Sequence, residues 1–260
     1  MGDLKAIIFD VDGTLAETER DGHRVAFNET FEDAGLSWRW SKDTYGNLLT
    51  IAGGKERIRF FLDHFQPPLP DTKDMQGLIA ELHQAKTQRY RSVIQRGEIT
   101  LRPGVARLIH AARAAGVRLA IATTSHLENA IALLETTLGS EALDWFEVIA
   151  AGDIVPHKKP APDIYQYVLT QLGLSPQDCV VIEDSDQGLQ AAKGAGLTVT
   201  ITRNDYTRHH NFAGADLVLS DLGEPDCPFT VLAGQGDGST HFTLDTARVL
   251  LNRVTQSPQP

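Results

Sequence analysis

The sequence predicts an α/β fold: a doubly wound, Rossmann-like parallel sheet core carrying an inserted all-helical cap domain. Three observations carry this reading. Short apolar runs recur after helix-like stretches along the chain. The runs are continuously apolar rather than alternating, which is expected of strands covered on both faces. Residues 17–98, directly after the first run, show helical patterns and no strand signal. The expected division is therefore a core of residues 1–16 and 99–260 and a helical insertion of residues 17–98.

Each element has its own signal. Residues 6–9 (AIIF) form the first apolar run. Helical patterns follow around 23–34, 55–65 and 75–95, the last two separated by the Pro-rich stretch 66–70 (QPPLP), which reads as a helix–helix linker. Residues 103–115 place Val105, Leu108, Ile109 and Ala112 on one stripe, with Pro103 at the start and Gly116 just past the end. Strand signals at 117–122, 146–150, 179–182, 197–201 and 217–219 alternate with helical patterns that include 127–138 and 162–172. Beyond Asp226, residues 234–239 read as a loop and 243–251 as a last helix over the sheet edge.

Composition narrows the function. Of the 260 residues, 42% are apolar and 22% charged, which excludes a disordered or fibrous chain. The net charge of −10 argues against nucleic acid and anionic membrane as partners, since both are gripped by basic faces. No apolar run approaches the roughly 18 residues of a bilayer span. Met1 and Gly2 lead almost at once into the first strand, so no signal or transit peptide is expected. Cys179 and Cys227 are isolated and read as reduced thiols, not as a disulfide or zinc site. A cytoplasmic monomer acting on a small molecule is expected.

The chemistry concentrates at strand ends, where open α/β sheets bind their ligands. Asp10-Val11-Asp12-Gly13-Thr14 ends the first strand, and its two carboxylates suit a nucleophile and a proton-transfer group. Taken alone, this stretch reads equally well as a strand-ending turn. Three further signals tip the balance. Glu183 and Asp184 end another strand, where carboxylates can hold Mg²⁺. Thr123 closes the 117–122 run, with Thr124 beside it, and Lys159 precedes a helix. Each has a plain explanation as a cap or a solvated charge, but four such signals at four strand ends are poorly explained by capping.

This set resembles the haloacid dehalogenase superfamily, in particular its phosphatase branch, over nearly all of residues 4–222. The motifs match in order as Asp10 with Asp12, Thr123, Lys159, and Glu183 with Asp184. The helical insertion matches that superfamily's cap. An acid at Asp12, absent from the dehalogenases themselves, argues for phosphoryl chemistry. The resemblance implies that Asp10 is nucleophile and Mg²⁺ ligand, and that Asp12 is acid and base and lends its carbonyl to the metal. Asp184 is implied as a metal ligand, with Glu183 on the metal or just behind it. Thr123 and Lys159 are implied to hold the phosphoryl oxygens. Within the superfamily the chain resembles the CbbY-type sugar-bisphosphate phosphatases. That likeness rests on 17–24 (ETERDGHR), 52–58 (AGGKERI), 158–160 with 162–165 (KKP, PDIY), and 206–209 with 212–216 (YTRH, FAGAD).

By that resemblance the substrate is a sugar bisphosphate, xylulose 1,5-bisphosphate being cleaved to xylulose 5-phosphate, which would clear an inhibitor of Rubisco; the cap is expected to close over it. Gly53 and Gly54 would offer backbone N–H groups at a helix start beside Lys55 and Arg57, which suits a second phosphate. Without the core motifs the same loop would read as a polar surface turn. His23 is a candidate contact to a sugar hydroxyl or a link between the cap and Asp12. Glu19, Asp21 and Tyr45 are weaker substrate candidates, for hydroxyl contacts, and Arg39 and Arg59 read as ordinary surface charges. The alternatives are a mutase of the β-phosphoglucomutase kind, a broad sugar-phosphate or phosphoglycolate phosphatase, and a non-catalytic binding protein.

Overall fold

A computed structural model describes residues 3–51, 53–70 and 74–256. Met1, Gly2 and Ala52, which entered the sequence reading above, lie outside the described residues. The chain divides into two compact units, one formed by the residues up to Glu17 with those from Thr100 onward, the other by Thr18–Ile99.

In the first unit, among the described residues, seven strands form one sheet: β1 (Ala6–Phe9), β2 (Arg118–Thr123), β3 (Phe146–Ala151), β4 (Cys179–Glu183), β5 (Thr198–Thr202), β6 (Leu217–Leu219) and β7 (Val231–Gly234). Their order is β3-β2-β1-β4-β5-β6-β7, parallel throughout except for the antiparallel β6–β7 pair. This is the strand order of a Rossmann-like sheet, as the sequence predicts. β1 is fully buried, with Ile8 level with Ala120 on one side and Val181 on the other. Such burial on both faces explains the unbroken apolar run. The chain direction reverses its strand order beside β1, so the crevice at the carboxyl ends of β1 and β4 is where this topology places a ligand.

The second unit holds α1 (Arg24–Asp33), entered through a π-helical turn at Thr18–His23, then α2 (Lys42–Leu48), α3 (Gly54–Phe65) and α4 (Met75–Gln95). Its core is aromatic. Trp40 packs against Phe27, Phe31 and Phe61 with ring centroids 4.5, 5.0 and 5.4 Å apart. Rings of this size bury about 150–250 Å² each, enough to hold a small helical unit. The sequence reading contains no helix at 42–48. That helix is only seven residues long and is begun by the Ser41 side chain, which accepts from the Thr44 backbone N–H at 3.0 Å.

The first unit is completed by α5 (Val105–Ala114), α6 (Leu127–Leu138), α7 (Asp163–Leu172), α8 (Asp186–Gly194) and α9 (Leu244–Gln256). The tail departs from expectation in two respects. β7 adds an antiparallel edge strand that pairs with β6. α9 packs against α5 and against β4 and β5, two interior strands of the sheet, and so does not lie over its edge. Cys179 is buried in β4 and Cys227 is exposed, both as free thiols. No described helix is long and apolar enough to cross a membrane.

Candidate active site

β1 carries Asp10 straight to the sheet's carboxyl edge, where its backbone N–H still pairs with the Ile182 carbonyl of β4 at 3.1 Å. The chain then turns sharply. Gly13 adopts a left-handed conformation, φ +84°, and donates its N–H to the Ala16 carbonyl at 2.8 Å. Glycine is required here twice over, by the dihedral and because a Cβ would overlap the Asp184 carboxylate. Thr14, buried in the same turn, donates its hydroxyl to Oδ1 of Asp184 at 3.4 Å.

Lys159, from the loop between β3 and α7, reaches the same point. Its ammonium donates to Oδ1 of Asp10 at 2.7 Å, to Oε1 of Glu183 at 2.6 Å and to the Ala122 carbonyl at 2.9 Å. All three protons of the buried cation are thereby used. Glu183 is held from every side. Its Oε1 also accepts from the Tyr165 hydroxyl at 2.8 Å, and its Oε2 accepts from the Asp184 N–H at 3.0 Å and the Ser185 hydroxyl at 3.2 Å. Gly188 leaves the space this carboxylate fills, since a Cβ there would overlap it.

Asp12 faces β2 instead. Its Oδ2 accepts from the Ser125 hydroxyl, while the Ser125 N–H donates to the Thr123 hydroxyl at 3.1 Å. Thr123 is fully buried and Thr124 is exposed. The sequence reading named Thr123 and Thr124 but not Ser125, whose only signal is its place two residues past the strand end. It also missed Asn204, just after β5, which donates to Oδ2 of Asp184 at 2.6 Å.

The electrostatics follow from the burial of three carboxylates around one ammonium. Burial pushes the Asp10 carboxyl up to about 7; the Lys159 charge pulls it back, while Glu183 and Asp12 add to the rise. Asp184 is held well above the usual carboxylate range by burial and then by the charges of Glu183 and Asp10. Although burial works against the charged form of Lys159, its acidic neighbours Asp10 and Glu183 hold it well above an ordinary lysine. Asp10, Glu183 and Asp184 bring carboxylate oxygens within 4.8 Å of one another. That arrangement fits a divalent cation. The donors are hard oxygens, few in number as Mg²⁺ prefers, and a doubly charged ion would offset their mutual repulsion.

The remaining candidates lie in the helical unit. Gly53, φ +92°, opens α3, with Gly54 at its first position and Lys55 exposed after it. Arg57 donates to the Tyr45 hydroxyl at 2.9 Å, and that hydroxyl donates to Oε2 of Glu19 at 2.5 Å. Tyr45 is fully buried, so its part is to join Glu19 to Arg57. Asp21 pairs with its neighbour Arg20 at 2.7 Å, and Arg39 and Arg59 are exposed. His23 stacks on Tyr90 at 3.7 Å between ring centroids, and the Lys86 ammonium lies 2.7 Å from its Nδ1. Burial, then the Lys86 and Arg57 charges, keep this imidazole neutral. With Nδ1 accepting from the ammonium, the ring proton sits on Nε2.

Lys86 and His83 are further residues the sequence reading missed. His83 packs against Gly54, where a Cβ would overlap its ring. Burial and the charges of Lys86 and Lys55 lower its pKa. The signal for Lys86 was available: it occupies the helical stripe of Ile79, Leu82, Tyr90 and Val93, all buried on α4. A lysine on an apolar stripe must find a partner there.

Comparison with known proteins gives a consistent picture. The family model for haloacid dehalogenase-like hydrolases matches residues 4–196. Protein CbbY of Cereibacter sphaeroides is 51% identical over 224 residues, covering 85% of this chain and 94% of that protein. The crystal structure of CbbY from Rhodobacter sphaeroides with phosphate superposes with a TM-score of 0.71 at 50% identity, covering 85% of this chain and 96% of that one. A mutant of that protein in complex with xylulose-(1,5)bisphosphate gives the same TM-score, identity and coverage.

Proposed function

We propose, starting from the fact that this chain belongs to the haloacid dehalogenase-like hydrolase family, that it is a Mg²⁺-dependent phosphatase removing the 1-phosphate of xylulose 1,5-bisphosphate to leave xylulose 5-phosphate. The broader activity, that of a phosphoric monoester hydrolase, follows from the family and from the likeness to CbbY. The observation that carries the finer reading is the contact of Asp10 with Lys159 beside Glu183 and Asp184. The complex of the CbbY mutant with xylulose-(1,5)bisphosphate supports the choice of substrate.

In the first step an Asp10 carboxylate oxygen attacks phosphorus and the bond to the sugar oxygen breaks, with Asp12 donating the proton that the leaving oxygen requires. In the second, Asp12 takes a proton from water, which attacks the phosphorus of the aspartyl phosphate and frees Asp10. Ser125, bonded to Asp12, orients that carboxyl. Lys159, exchanging one of its three contacts for the substrate, and Thr123 hold the phosphoryl oxygens, and Thr124 offers a second hydroxyl at the same sheet edge. Mg²⁺, held by Asp10, Asp184 and the Asp12 carbonyl with Glu183 on it or behind it, would neutralise the phosphoryl charge and keep Asp10 ionised. In the helical unit, Gly53, Gly54, Lys55 and Arg57 bind the phosphate that is not cleaved, while Glu19 and His23 contact sugar hydroxyls.

A phosphate-release assay on xylulose 1,5-bisphosphate, ribulose 1,5-bisphosphate, phosphoglycolate and β-glucose 1-phosphate tests this. The first should be turned over fastest, and only with Mg²⁺ present. Isomerisation of β-glucose 1-phosphate without release of phosphate would replace the reading with a mutase.

A further inference from the structure

We propose that Arg102 and Asn204 form a brace that positions the metal-binding carboxylates, Arg102 acting through the Gly13 carbonyl and Asn204 through Asp184. The inference rests on the metal-dependent reading above and adds the residues that hold its loops in register.

Arg102 lies in the segment between the helical unit and α5, and it is buried. Its guanidinium has an unusual set of acceptors. One terminal nitrogen donates to the Gly13 carbonyl, to the Thr202 carbonyl at 2.8 Å and to the Thr202 hydroxyl at 3.1 Å. The other donates to the carbonyls of Arg203 and Ser220, both at 2.9 Å. Its Nε faces Oε1 of Glu17 at 3.1 Å, and its backbone N–H donates to the Leu15 carbonyl at 2.8 Å. One side chain thus ties together the turn after β1, the exit of β5 and the end of β6. A planar fork with five donors can do this, and a lysine ammonium cannot.

These acceptors are the segments that carry the site. Gly13 stands between Asp12 and Thr14 in the turn after Asp10. Its carbonyl also accepts from the Asn204 amide at 3.3 Å, and the same amide nitrogen donates to Oδ2 of Asp184 at 2.6 Å. Asn204 is itself fixed, because its Oδ1 accepts the N–H groups of Tyr206 at 2.9 Å and Thr207 at 3.1 Å. The Gly13 carbonyl is therefore gripped by both residues, one of which also grips Asp184. Partners that orient a ligating carboxylate in this way affect metal affinity, not only stability.

Mn²⁺ binding to the whole chain, followed by electron paramagnetic resonance, tests the proposal with Arg102→Lys and Asn204→Ala, each first shown by circular dichroism to be folded. Both variants should bind Mn²⁺ about tenfold more weakly. In assays the Mg²⁺ concentration for half-maximal rate should rise more than the maximal rate falls. Unchanged Mn²⁺ affinity in both folded variants, with normal binding to the unaltered chain, overturns the brace alone. If Arg102→Lys does not fold, unchanged affinity in Asn204→Ala overturns it. Absence of Mn²⁺ binding to the unaltered chain overturns the metal-dependent reading and the brace with it.

Discussion

The Lys159 ammonium stands 2.7 Å from Oδ1 of Asp10, joining residues 149 positions apart in the chain. The same nitrogen lies 2.6 Å from Glu183, so one buried cation is shared by two buried carboxylates while Asp184 stands alongside. This excess of negative charge suits the site to a doubly charged cation, which would offset it. It also makes the site sensitive to the loss of any one charge.

Replacement of Asp10 by Asn should abolish turnover, by at least about three orders of magnitude, because the amide is no nucleophile. The change keeps the side-chain shape, so circular dichroism should report a folded protein. Initial rates near those of the unaltered chain would remove Asp10 from the role of nucleophile.

Removal of the cation should be felt in stability as well as in rate. Lys159→Met leaves Asp10 and Glu183 buried without their partner, and breaking a buried pair from one side costs about 3–5 kcal/mol. Urea denaturation with EDTA present should show this as a lower midpoint. A midpoint equal to that of the unaltered chain would mean that the pair is not held as described.

The pH dependence has a definite sign. Asp10 titrates at about 7 in the folded chain and near 3.8 when unfolded, so the folded state binds its proton first as the pH falls. In EDTA the unaltered chain should therefore gain about 1 kcal/mol relative to Asp10→Asn between pH 8 and pH 6. The comparison between variants cancels the opposing titration of His23 and His83, whose lowered pKa values destabilise the folded chain as acid is added. A difference between the two proteins that does not change over this range would contradict the raised pKa.

Lys55→Ala should weaken the use of xylulose 1,5-bisphosphate about tenfold in kcat/KM and leave an aryl phosphate nearly unaffected, since the second phosphate is present in only the first substrate. Equal losses on both substrates would detach the Gly53–Gly54 loop from phosphate recognition.

The sequence by itself determined the α/β class, the six parallel strands and the polar residues at their ends. Those features depend on near neighbours in the chain: an unbroken apolar run ending in Asp10, another ending in Glu183 and Asp184, a third ending in Thr123. Only the tertiary structure decided which polar side chains meet. Ser125 reaches Asp12 across 113 positions, Asn204 reaches Asp184 from the next strand end, and Lys86 reaches His23 across 63. The short helix α2 was hidden because seven residues are too few to carry a periodic signal, whereas the edge strand β7 is largely exposed and takes its conformation from pairing with β6. Hydrophobic burial is patterned along the chain and can be read there, whereas a hydrogen bond between distant loops exists only after the order of the strands has brought their ends together.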